Sequence, residues 1–265
     1  MRKNLLSILI VFSMTFAAFA GDSAVFVDNG FSADGNYYIF GQYGKTDKTF
    51  CGWAEIYIVD VKANEYVDGC VYKIKPSAVT SDKSGKEVYE TLFGKNFYSI
   101  SKYNCSPAKP EQILYIREAE SKSSTDEIVF QDFTSSISKD KAFYKVKLVP
   151  KINGKGLETK SSFVIDVEKL DYKGNILAKQ QLGSPDIVRR GVKDYKIERI
   201  VCDKSGKNLA AIVEKTCEDK TGTNIRYMIE TATLNESFFT NLAEEPEEIK
   251  ENDVPEAEDS LIDAK

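Results

Sequence analysis

The tightest constraint on this chain is the run AEIYIVDV at residues 54–61, read together with FSADGNYYIFGQYG at 31–44. Successive side chains of a strand point to opposite faces, so Ile56 and Ile58 face one way and Tyr57 and Val59 the other, and both faces are apolar. A strand of that kind suits a position covered on both sides. The segment before it opens on Asp34-Gly35, a turn pair, and continues as an aromatic strand.

Strand patterns recur along the chain. Residues 24–75 hold four extended runs, AVFVD, NYYIFGQY, AEIYIVDV and CVYKIK, the number in one propeller blade or half a sandwich. A second group reads EIVFQDF, AFYKVKLV, SFVIDVEKL and NILAKQQL, with turns at Asn153-Gly154 and Lys173-Gly174-Asn175. A third reads YKIERIVC, NLAAIVEK and NIRYMIETA. One helix is expected: Ser84-Gly85-Lys86-Glu87 is a capping box, Val88, Tyr89, Leu92 and Phe93 share a side, and Gly94 is its expected end. Between the groups, strands are expected at Phe97 to Tyr103 and Ile113 to Ile116, and a polar loop at Ala119 to Thr125. CDKSGKNLAAIVEK followed by NIRYMIET echoes FSADGNYYIFGQYG followed by AEIYIVDV, which reads as a divergent repeat.

The first twenty residues read as an export signal. Arg2 and Lys3 precede the apolar stretch Leu5 to Phe19, and Ala18-Phe19-Ala20 is a small-x-small cleavage site before Gly21. About fifteen apolar residues fall short of the roughly 20 that a spanning helix needs, so no stable span is expected after cleavage. Residues 21–242 read as one β-rich domain and 243–265 as a disordered tail, which carries ten acidic side chains against Lys250 and Lys265. The rest of the mature chain is nearly balanced in charge, which argues against nucleic acid as a partner.

Five cysteines in an exported chain leave at least one unpaired. Cys202, at the end of a strand, reads as a buried free thiol; a bridge is expected among Cys51, Cys70, Cys105 and Cys217, with three connectivities open. The chain contains no histidine, so Ser-His-Asp and Cys-His chemistry and the histidine metal triads are excluded. Phosphate-binding glycine loops are missing, and no cofactor or metal is expected.

GDSAVFVDNGFSADGNYYIFGQYG with AEIYIVDV, and later VKDYKIERIVCDKSGKNLAAIVE, resemble the two ends of the bacterial predicted secreted protein family, domain of unknown function 2259. The resemblance covers most of residues 21–232 and implies a secreted or periplasmic protein with TolB-like propeller blade patterns and no established activity. It carries over no functional residues.

The chain therefore reads as mainly β, built of antiparallel propeller-like blades too few to close a ring, with a β-sandwich as the alternative. Carboxylates at Asp34, Glu55, Asp60, Asp132 and Asp166 offer an envelope hydrolase as the rival function, although their spacing indicates no pair. Asp34 reads as a turn residue, and Asp60 and Asp166 as strand-end residues bonding a following turn. The expected function is non-enzymatic binding or assembly with an envelope protein or glycan. Its candidate contacts are the aromatic residues of one loop, Tyr43, Phe50 and Trp53.

Overall fold

A computed structural model describes residues 22–118, 127–132, 142–220 and 222–239. The export signal at 1–20, the acidic tail at 243–265 and the polar loop at Ala119 to Thr125 lie outside the described residues. A two-residue strand, β1 (Asp22–Ser23), precedes a meander of β2 (Val25–Ser32), β3 (Tyr37–Lys45), β4 (Gly52–Asp60) and β5 (Glu65–Ile74). Then come α1 (Gly85–Lys95), α2 (Phe97–Ser101), β6 (Cys105–Ser106) and β7 (Ile113–Ile116). A second meander runs through β8 (Glu127–Gln131), β9 (Phe143–Asn153), β10 (Lys160–Leu170) and β11 (Ile176–Leu182). After β12 (Arg189–Arg190) come three long strands, β13 (Val192–Cys202), β14 (Asn208–Asp219) and β15 (Gly222–Thr233), and then a single helical turn at Glu236–Phe238.

These strands make three sheets. The first has the order β5-β4-β3-β2-β6, the second β1-β15-β14-β13-β7, and the third β11-β10-β9-β8 with β12 paired to β10. The second sheet lies between the other two, and its sequence says why. In NLAAIVEK, Ala210 and Ile212 pack with Tyr38, Phe40, Tyr57 and Val59 of the first sheet, while Leu209, Ala211 and Val213 pack with Val146, Phe163 and Ile165 of the third. Period-two alternation thus sends each half of one apolar run into a different core. Every ring or branched side chain buried there contributes about 1.5–3 kcal/mol.

The alternation expected in AEIYIVDV is present. Ala54, Ile56 and Ile58 pack under α1, against Val88, Tyr89 and Leu92, and Tyr57 and Val59 face the second sheet. The capping box is present too: the Glu87 amide donates to Ser84 Oγ at 3.2 Å, and the Ser84 amide to Glu87 Oε2 at 2.7 Å. Gly94 does not end this helix, which runs to Lys95. The stretch from Phe97 is not a strand but α2, whose Ile100 is buried beneath it and whose ring-bearing Tyr98 stays outside.

One turn type recurs in all three sheets. Gly35, Gly174 and Gly206 sit at φ 74°, 86° and 72°, a region open to glycine and strained for other residues. Each turn is held by a carboxylate: Asp34 accepts from the Asn36 amide at 3.1 Å, Asp171 from the Asn175 amide at 2.7 Å and Asp203 from the Asn208 amide at 3.0 Å. Four residues past these glycines come Ile39, Ala178 and Ala210. Ile39 faces the helical layer, Ala210 the first sheet and Ala178 the second. All three sheets therefore stack in the same sense, head to tail. α1 covers one end of the stack, and a ladder of charges, with Lys145 and Lys179 on Glu168 and Lys147 on Glu127, faces outward at the other.

All five cysteines are free thiols, which corrects the expectation of a bridge. Cys70 Sγ and Cys105 Sγ both approach Tyr103, but β5 and β6 are the two outer strands of a five-stranded sheet. Four steps of about 4.8 Å separate such strands, against a Cα limit of about 7 Å for a bridge. Cys217 packs toward the third sheet and Cys51 lies at the start of β4 in the first. Burial pushes the Cys202 thiol up to about 11 and the Cys105 thiol up to about 12, so both stay protonated and weakly nucleophilic at neutral pH. A thiol count on unfolded, unreduced protein is expected to give five, with slow alkylation of the folded protein; a count of three or one would restore the bridge.

Candidate functional site

The three aromatic residues expected to form an exposed platform are dispersed by the fold. Phe50 is 66% exposed, at φ 52° in the loop between β3 and β4. Tyr43 is half-buried, its ring 5.7 Å from that of Tyr89. Trp53 is core: it is 4% exposed, its Nε1 donates to Asp22 Oδ1 at 3.1 Å, and the Arg226 guanidinium lies 4.0 Å over its ring. Period two explains this burial, because Trp53 shares a face of β4 with Glu55, Tyr57 and Val59 and so points toward the second sheet.

Each carboxylate considered for hydrolysis is occupied locally. Asp34 holds its turn, its carboxyl kept below the usual value chiefly by the Ser32 hydroxyl. Asp60 accepts from the Ala63 amide at 2.9 Å, as a strand-end residue does. Asp166 is not a strand-end residue: it lies inside β10 and takes 2.9 Å from Gln181 Nε2 on the outer face. Asp132 forms an ion pair with Lys169 at 2.9 Å. Burial alone would raise the Glu55 carboxyl, yet Tyr57, Lys73 and Gln42 donate to it and hold it below the usual carboxylate range.

A cleft forms where the three sheets meet, along the outer edge of β15. β1 covers this edge only at Asn224 and Ile225. Further on, the outward amides of Tyr227 and Thr231 are capped by side chains, Gln42 Oε1 at 2.9 Å and Asn64 Oδ1 at 2.7 Å. Side-chain caps of this kind block pairing with another strand and leave a channel beside them. One lobe, of about 400 Å³, is lined by Tyr66, Ile187, Arg189, Lys215, Met228 and Glu230. A second lobe, of about 630 Å³, continues past Asn64, Glu65 and Ile187 toward Thr233.

Charge on the cleft floor is unevenly compensated. Glu230 joins all three sheets: Asn64 Nδ2 of the first donates to it at 2.5 Å, and Arg189 Nη2 of the third at 3.3 Å. Desolvation raises its pKa against those two partners. Arg226 lies outside the two lobes, over the Trp53 ring, and is held by Asp22 at 2.6 Å. Lys215 stands opposite Arg226 in the β14–β15 ladder, and among the described residues its ammonium has no hydrogen bond or ion pair. Burial pulls its pKa below the ordinary lysine value. Around this floor the rim is apolar, with Tyr66 45% and Ile187 50% exposed.

Sequence reasoning passed over Asn64, Arg189, Lys215 and Glu230. Its available signal was the charged pair in AIVEK and the lone acid in MIETA, charges placed inside runs that otherwise read as strands covered on both sides. Among the described residues no group of three or more cysteines or carboxylates is arranged to hold a metal, and no helix is long and apolar enough to cross a membrane. A family model described as a predicted secreted protein, domain of unknown function 2259, matches residues 39–233. No curated protein and no solved structure matches the chain.

Proposed function

The chain belongs to the predicted secreted protein family, domain of unknown function 2259, and on that premise we propose an exported, non-enzymatic binding or assembly protein that receives its partner in the cleft along β15. A location in the periplasm or outside the cell follows from the family. One observation carries the reading: apolar rim residues surround a floor of fixed polar and charged groups at the junction of three sheets. Recognition sites combine apolar walls with a few placed polar groups in this way. A carboxylate hydrolase needs two free acids flanking one bond, within about 10 Å of each other. In this cleft Glu230 is tied to Arg189 and Asn64, and Glu65 stands at the rim.

The head-to-tail stack supports reading the domain as three blades of an incomplete, propeller-like array, closed at one end by α1, rather than as a two-sheet sandwich. The partner class is an envelope protein or glycan. A second reading keeps recognition at the β3–β4 loop, favoured by the exposure of Phe50, with Tyr43 and Trp53 acting as its support from beneath.

Equilibrium binding to fractionated envelope extract separates the two readings. Tyr66→Ala with Ile187→Ala removes the rim at half-exposed positions, so the melting temperature should change little. Affinity should fall about thirtyfold or more, the loss expected at contact hot spots of about 2 kcal/mol. Loss in Phe50→Ala instead would move recognition to the loop, and full binding by both variants would sink the two readings together.

A further inference from the structure

We infer that the lobe around Lys215 takes a ligand bearing one carboxylate and an apolar tail, with the carboxylate on the Lys215 ammonium. The inference rests on the cleft reading and adds the ligand's chemistry to it. Two cations line the lobe, Arg189 from β12 and Lys215 from β14, and a third, Arg226 of β15, stands beside Lys215 across the ladder with its guanidinium over Trp53. Arg226 is neutralised by Asp22 at 2.6 Å and Arg189 by Glu230 at 3.3 Å. Lys215 is the cation left over among the described residues, and the residue directly across the ladder from it is the like-charged Arg226. Like charges directly opposite on neighbouring strands repel, and a desolvated charge without a partner destabilises the folded state. Glu55 and the Cys217 thiol act on it only at longer range.

The exposed Glu65 carboxylate at the rim makes no ion pair with Lys215, so the ammonium on the floor still calls for one negative charge. Glu65 and Glu230 on the walls would repel a second, which disfavours a phosphate dianion. Beyond the ammonium the lobe is walled by Val59, Tyr66, Ile187, Met228 and Ile229, so the remainder of the ligand should be apolar. A fatty acid and the C-terminus of an apolar peptide share this chemistry.

Calorimetric titration of the mature protein with decanoate, and in a second arm with an apolar hexapeptide having a free C-terminus, tests the assignment and separates the two sources. Decanol and the amidated peptide are the neutral controls. At least one carboxylate should bind about tenfold or more tighter than its control, and Lys215→Met should lose that advantage, as expected when a charge-assisted bond is removed. Without ligand, Lys215→Met should melt about 2–4 °C higher than wild type, because it removes an uncompensated charge. The assignment is overturned if neither carboxylate binds, if Lys215→Met binds both undiminished, or if that variant melts well below wild type. Should envelope fractions bind through Tyr66 and Ile187 while Lys215→Met changes nothing, the cleft reading stands and the carboxylate falls.

Discussion

Trp53→Ala is expected to lower stability by about 3–5 kcal/mol, the usual loss when a buried aromatic residue is truncated. The indole is 4% exposed and packed so closely that a Cβ on Gly44 would lie 2.9 Å from its Cζ2. Its loss leaves a void under the Arg226 guanidinium and removes a hydrogen bond from Asp22, the residue through which β1 joins the first sheet to β15. Because Asp22 and Arg226 remain paired at 2.6 Å, the deficit should come from packing more than from charge. Urea unfolding of the variant measures it; a loss under about 1 kcal/mol would mean that the ring is not part of the core. Ligand binding per folded molecule should persist, since Trp53 does not line the cleft lobes.

Strands were legible because their side chains alternate locally. In AEIYIVDV the two apolar faces already require a cover on each side, and α1 and the second sheet supply them. Strand order was less legible. The third group of strands supplies three members of the middle sheet, and β7 and β1 complete it from far away in the chain. Nothing in ILYI or in Asp22-Ser23 encodes that pairing, since a four-residue and a two-residue strand fit many edges. Phe97 to Tyr103 misled for a related reason: FYSIS alternates as a strand does, but Ile100 alone needs burial, and a single helical turn after Asn96 provides it.

The site was harder to read than the fold. Aromatic residues in one stretch of sequence suggested one surface, yet the alternation that placed Tyr57 and Val59 correctly also turns Trp53 inward, leaving Phe50 outside. The cleft residues are dispersed: Asn64, Arg189, Lys215 and Glu230 come from a turn, a short strand and the two long strands of a hairpin. Their proximity depends on how three sheets stack, and no local spacing records that. A charged residue inside a run covered on both faces is the trace left in sequence, and Lys215 and Glu230 both carry it.

Asp132→Ala should cost about 3–5 kcal/mol, the range for removing one member of a buried ion pair and leaving its partner charged. The Asp132 and Lys169 side chains are 0% and 8% exposed, 2.9 Å apart, and the ammonium also donates to the Phe238 carbonyl at 2.5 Å. The pair therefore fixes the end of β8 and the chain after β15 to β10, a tie among three separate segments. Replacing both partners, Asp132→Leu with Lys169→Met, should recover most of the loss, because two apolar side chains need no compensation. That comparison also weighs the hydrolase alternative, for which Asp132 was a candidate acid. A catalytic carboxylate can be removed with folding intact and activity lost, whereas a structural one takes stability with it. Urea unfolding of the two variants decides: an Asp132→Ala protein within about 1 kcal/mol of wild type would refute the structural role, and a double variant no better than the single would show that geometry, not the stranded charge, sets the cost.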